Sequence, residues 1–194
     1  AVDRTVQTYR GLIFRKEPIV SLPQPMNPVL EQFTLGGDSF DDFAKWTTGE
    51  LINPGRVACL VDWNEERQRP YVAPYVGERL INWRTEVING VEQLTLAVLE
   101  EHRQEVDPED FFKVIEIPRW RCLKLIDGVY TVNIYEEHVD PTKGKGIFVV
   151  DTFTPTKRGE TLDFIPLVIM NPGFTGPDTT LPRLLSMVNL ELSW

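Results

Sequence analysis

Val6, Tyr9, Leu12 and Ile13 recur at helical spacing within residues 3–15, which predicts a weakly amphipathic helix at the start of the chain. Pro18, Pro23, Pro25 and Pro28 follow; each fixes φ and removes a backbone donor, so 16–28 is expected to be extended. A short helix is expected over Val29–Phe33, ending at Gly36-Gly37. Ser39 with Asp42 three residues on makes a near capping box. Phe40, Phe43, Ala44, Thr47 and Leu51 then line one face of a helix that Asn53-Pro54-Gly55 ends.

From Arg56 the apolar period shortens to that of strands. Arg56–Asp62 reads as a strand, followed by a charged loop at Glu65–Arg69. Pro70 and Pro74 place 70–76 on a sheet edge or outside the sheet. A short helical turn is expected from Gly77 to Asn82. Asn89-Gly90 is a strong hairpin signal, with arms at about 84–88 and 92–102. Asp107-Pro108-Glu109-Asp110 breaks the chain before a strand expected at Phe111–Ile117, which continues past Pro118 to Ile126 through a bulge or bend. Asp127-Gly128 marks a second hairpin, after which Tyr130, Val132 and Ile134 alternate with Thr131 and Asn133. A loop over Pro141–Gly146 leads to a strand at Ile147–Phe153. Lys157-Arg158-Gly159 is a further turn, and Leu162–Met170 an apolar strand interrupted by Pro166. Pro182 suits the first turn of a final helix carrying Leu184, Leu185, Val188 and Leu190.

Together these elements predict an α+β fold: N-terminal helices packed on an antiparallel sheet of several hairpins, ending in the start of a further helix. The division expected is a helical part at 1–55, a β-rich part of the same domain at 56–170, and a loop with a helix start at 171–194. That last pattern carries no stop signal before Trp194, and the first residue is Ala, so we read the sequence as a piece of a larger polypeptide. Its 194 residues suffice for a packed core without staples. The net charge of −9 argues against an unspecific grip on nucleic-acid phosphates or on an anionic membrane surface. No apolar run approaches the roughly 18 residues that a membrane helix needs. Cys59 and Cys122 both lie in apolar runs and are expected to be small buried hydrophobes.

Candidate chemistry is sparse. Glu136-Glu137-His138-Val139-Asp140 is the one cluster with metal-ligand character: period-2 alternation puts Glu136 and His138 on one face with Asp140 near them, though a solvated hairpin end is the preferred reading. Lys143-Gly144-Lys145-Gly146 lacks the spacing and the following helix of a phosphate-binding loop. No serine stands in a Gly-x-Ser-x-Gly elbow. Asp62, Asp151 and Asp163 are carboxylates at strand ends that a hydrolase could use. Trp63 and Trp83 flank the proline-rich segment, while Trp46, Trp120 and Trp194 are scattered; packing suits such spacing better than a stacking platform. These residues assign no catalytic, cofactor-binding or metal-binding role.

A series of segments nevertheless has a familiar order. Tyr9-Arg10-Gly11-Leu12-Ile13-Phe14-Arg15-Lys16-Glu17-Pro18 is followed by a helix ending in Pro54-Gly55-Arg56, and then by Leu60-Val61-Asp62. Arg69-Pro70-Tyr71, Leu80-Ile81-Asn82-Trp83-Arg84, Gly159-Glu160-Thr161-Leu162-Asp163-Phe164-Ile165-Pro166 and Leu184-Leu185-Ser186-Met187-Val188-Asn189-Leu190 complete it. Their order resembles the portal proteins, or head–tail connectors, of tailed bacteriophages, in the podovirus and prophage group that carries an uncharacterised C-terminal domain. The resemblance implies a wing-region fragment of a ring-shaped homo-oligomer, typically dodecameric, set at a capsid vertex. It implies no enzyme activity and no cofactor. Terminase, the major capsid or scaffold protein and a tail adaptor are the implied partners of the full-length protein, and DNA passes through the channel without sequence-specific binding. The implied location is the virion, and the bacterial host cytoplasm during assembly. The channel helix and the clip are missing from this sequence, so no DNA-contacting residue is carried over. Two other readings stay open: a ligand- or carbohydrate-binding β-rich module using tryptophans, and a hydrolase built on carboxylates such as Glu136 and Asp163.

Overall fold

A computed structural model describes residues 2–140, 142, 144–173, 176–179, 181–186 and 189. The protein is α+β, with its helices mostly toward the N-terminus and its strands antiparallel. It divides into two compact units, Ala1–Gly77 with Pro166–Trp194, and Glu78–Ile165. This grouping differs from the division at 55 and 170. The first two strands and the last one join the helices, because the last strand returns to pair with the first.

The first unit contains α1 (Val2–Ile13), α2 (Asn27–Glu31), α3 (Phe40–Ile52), β1 (Val57–Asn64), β2 (Arg69–Val76) and β10 (Leu167–Met170). Ser39 caps α3: its hydroxyl accepts from the Asp42 N–H at 3.1 Å and donates to the Asp42 carboxylate at 2.7 Å. The helix ends where Pro54 supplies no donor, and the Gly55 N–H reaches back to the Glu50 carbonyl at 3.0 Å, with Gly55 at φ 86°. Helices α1 and α2 pack on α3, which packs on β1. Phe33 lies against Phe40 and Phe43 with ring centroids 5.3 and 4.8 Å apart, and Trp46 lies 6.3 Å from Phe43.

The strand order is β10-β1-β2. As the central strand, β1 buries Val57, Ala58, Cys59 and Leu60 in succession, a run rather than an alternation because both faces are covered. The proline-bearing β2 is an edge strand, as Pro70 and Pro74 require. Its outer side is met by the segment after α2: the Val72 N–H donates to the Phe33 carbonyl at 2.9 Å, and Thr34 bridges to Val72. The strand expected over Leu162–Met170 starts only at Leu167. Pro166 cannot donate, though its carbonyl accepts from the Val61 N–H at 2.9 Å. Leu185, Ser186 and Asn189 are helical; Val188, Leu190 and Trp194 lie outside the described residues.

The second unit is a five-stranded meander of β3 (Leu80–Ile88), β4 (Val91–Val106), β5 (Val114–Ile126), β6 (Val129–Asp140) and β7 (Gly144–Phe153), with a small hairpin of β8 (Thr156–Lys157) and β9 (Glu160–Thr161). Asn89-Gly90 and Asp127-Gly128 close two of the hairpins with positive φ at both residues (52° and 78°, 49° and 74°), the geometry that matches the twist of paired strands. Ala97, Leu123 and Val132 stand opposite one another across three strands and are buried, as are Leu80, Leu99, Tyr130 and Ile134.

Several local expectations need correction. The turn after Gly77 spans only Gly77–Arg79 before β3 begins, so Leu80–Asn82 are extended. Register across Pro118 is unbroken between β4 and β5, with His102 opposite Pro118. The bulge is unnecessary because the β5–β6 ladder begins only at Arg119, so one flank of β5 carries no ladder at Pro118. Phe111 and Phe112 belong to the turn before β5 rather than to the strand. Gly144–Gly146 belong to β7 rather than to a loop.

Candidate interaction surface

The functional geometry grows from the way the second unit's sheet loses its core. Three registered rows run across β4, β5 and β6. Ala97, Leu123 and Val132 are apolar; Leu99, Arg121 and Ile134 are mixed; Glu101, Arg119 and Glu136 are charged. Because side chains alternate with period 2, all three rows share one face. Where burial ends, ion pairs take over. The Arg121 Nε donates to Glu101 at 2.7 Å, and Arg119 Nε lies 3.4 Å from the same carboxylate. Arg103 donates through Nε and a terminal nitrogen to the two oxygens of Glu136, both at 3.2 Å, and also binds Glu105. Glu136, first among these partners, raises the Arg103 guanidinium above its ordinary value.

Past this row the β4–β5 hairpin continues alone. The β3–β4 ladder stops at Leu80 opposite Leu99, and β6 pairs with β5 no further than Arg119. A two-stranded ribbon in water needs other support. Here the turn supplies it: the Asp107 N–H donates to the Lys113 carbonyl at 2.9 Å, and Lys113 Nζ binds the Asp107 carboxylate at 2.7 Å. The Glu109 and Phe112 N–H groups donate to the carboxylates of Asp107 and Asp110, each at 3.0 Å. Lys113, then the Glu109 N–H, hold the Asp107 carboxyl below its ordinary value. The ordered turn presents Phe111 and Phe112, which are 81% and 94% exposed and meet edge to face with centroids 5.9 Å apart. Val106 and Val114, at the ends of the two strands, are exposed beside them. Sequence reading missed this tip. The available signal was two adjacent phenylalanines straight after an Asp-Pro-Glu-Asp break, which a half-buried strand could not place on one face.

The residues with candidate chemistry are engaged otherwise. Glu136 pairs with Arg103, Glu137 with Lys145 at 3.2 Å, and the His138 ring lies on Phe148 with centroids 4.6 Å apart. The Asp140 side chain and Lys143 lie outside the described residues. Asp62 accepts from the Tyr71 hydroxyl at 3.2 Å, while Asp151 and Asp163 are exposed. Among the described residues no group of three or more His, Cys, Asp or Glu is placed to hold a metal ion. Trp46 packs on Phe43, Trp83 stands opposite Ala97 and Trp120 opposite Tyr135; Trp63 is half-exposed on β1. Cys59 and Cys122 are buried, and burial pushes the Cys59 thiol up to about 12. Among the described residues no helix is long and apolar enough to cross a membrane.

Exposed apolar side chains also mark the edge strand β7, at Ile147, Val149, Val150 and Phe153. A long apolar edge and an aromatic tip are surfaces that protein partners cover. Comparison with protein-family models and with curated proteins finds no match to this chain.

Proposed function

We propose that this chain is a structural part of a phage portal subunit, a wing-region portion of a ring that sits at a capsid vertex and conducts DNA. The observation that carries this reading is the ordered series of segments from Tyr9-Arg10-Gly11 to Leu184-Leu185-Ser186. Several of those segments have clear structural work in this fold. Pro54-Gly55 stops α3, and Arg56 donates to the carbonyls of Gly77 at 2.7 Å and Pro177 at 3.0 Å. Arg69-Pro70-Tyr71 opens the edge strand, and Leu80 anchors the start of β3 in the core. Exposed apolar side chains on β7 and at the hairpin tip support a self-associating role, since copies of the chain would remove them from water.

In this role the protein performs no chemistry. Its work is to hold position against identical neighbours and, through the full-length protein, against terminase, capsid or scaffold protein and tail adaptor. The net charge of −9 limits sticking to DNA in passage. The test is negative-stain electron microscopy of the full-length protein, with closed rings as the expected result. Only monomers or dimers at micromolar concentration would overturn the reading.

A further inference from the structure

We propose that the acidic, aromatic tip of the β4–β5 hairpin docks on the apolar face of α1 in a second copy of this chain. The inference rests on the self-association reading above and names its contact. The tip offers Phe111 and Phe112 in a turn already ordered by Asp107, Asp110 and Lys113, so little freedom is lost when they are buried. On α1 only Val6 is buried. Tyr9, Leu12 and Ile13 stand on one side at i, i+3 and i+4 and are 50%, 62% and 56% exposed.

Charge selects this pairing. Residues 105–116 carry Glu105, Asp107, Glu109, Asp110 and Glu116 against Lys113 alone. Residues 2–17 carry Arg4, Arg10, Arg15 and Lys16 against Asp3 and Glu17, a basic excess in a chain of net charge −9. Several other basic positions suit the tip less well, among them Lys145 on β7, which pairs with Glu137 at 3.2 Å. Arg119 and Arg121 are engaged with Glu101, and Lys157-Arg158 sits on a turn with no exposed apolar side chain beside it in β8 or β9. Two different patches meeting make a heterologous contact, which repeats head to tail and closes where the rotation allows.

The experiment is disulfide trapping in the full-length protein with Leu12→Cys and Phe112→Cys, made singly and together. Cys59 and Cys122 are buried and do not compete in the folded protein. An oxidised mixture of the two single variants is expected to give a mixed dimer that neither gives alone. The double variant should give a ladder of multimers, and both signals should fall as salt rises. A mixture giving no more dimer than the single variants overturns the proposal. A concentration-independent internal crosslink in the double variant also overturns it, in favour of the chain's own α1. Phosphatidylcholine vesicle binding that is lost on Phe112→Ser, without mixed dimers, overturns it in favour of a lipid surface. Rings seen by microscopy without the mixed dimer would sink this contact and leave the ring reading standing. Mixed dimers in open chains would support the contact and count against the ring.

Discussion

Two residues show how far burial controls chemistry and packing here. Cys59 lies in the central strand of its sheet, and burial alone lifts its thiol to about 12. The folded state therefore keeps a proton that the unfolded chain releases near its ordinary value of 9.0. The sign follows from linkage: this stabilisation is complete below that value and is lost as pH climbs from about 9 toward about 12. Native protein at pH 8 should leave Cys59 unreacted toward a thiol-specific reagent, and the denatured chain should react fully, as a spectrophotometric titration would show. Gly77 is constrained from the other direction. A Cβ there would lie 2.8 Å from the Arg56 carbonyl oxygen, a backbone atom with little room to move. Gly77→Ala should cost about 1–3 kcal/mol in urea unfolding, as overpacking does.

At the scale of elements, the β4–β5 hairpin changes character along its length. Its base is core, its middle an ion-pair row and its tip a turn held by ionised carboxylates. Leu123→Ala removes a fully buried side chain flanked by Ala97 and Val132, and is expected to cost about 2–5 kcal/mol by denaturant titration. The tip answers to protonation instead. The Asp107 carboxyl sits below its ordinary value because Lys113 and the Glu109 N–H favour its charged form. A lowered carboxyl contributes order above its ordinary value and loses it as pH falls through the folded one. Asp107→Asn should speed amide exchange at Lys113 at neutral pH, a change expected of the native sequence only below about pH 3.8. Many element boundaries were legible in the sequence. Ser39 with Asp42, Asn89-Gly90 and Asp127-Gly128 act through contacts a few residues apart, which local pattern records. The extended course from Leu80 was not legible. Leu80 pairs with Leu99, a partner that short-range pattern does not identify.

For the molecule as a whole, the exposed apolar positions set the expectation. Among the described residues, β7 carries Ile147, Val149, Val150 and Phe153 in the open, and the β4–β5 hairpin ends in Phe111-Phe112. Surfaces of this kind favour association, so the mass of the full-length protein in solution should rise with concentration, as mass photometry or light scattering would record. A mass that stays at one copy across the micromolar range would contradict that expectation and the ring reading with it. The candidate surface was hidden in the sequence for a physical reason. Exposure depends on where neighbouring strands stop, and the ends of the β3–β4 and β5–β6 ladders leave the tip alone.

By itself the sequence determined what local interactions govern: the α3 cap and stop, the paired turns, the exclusion of the proline-bearing segment from a sheet interior and the α+β class. It also carried the ordered segments on which the portal reading stands. Only the tertiary structure decided that β10 returns to β1, so that the chain divides into two units with residues 78–165 as an insert within the first. It alone turned Glu136 from a possible ligand into the partner of Arg103, and moved Phe111 and Phe112 from a strand to an exposed tip. These outcomes depend on register between strands and on where each ladder ends, which are properties of pairs of segments rather than of any one stretch of chain.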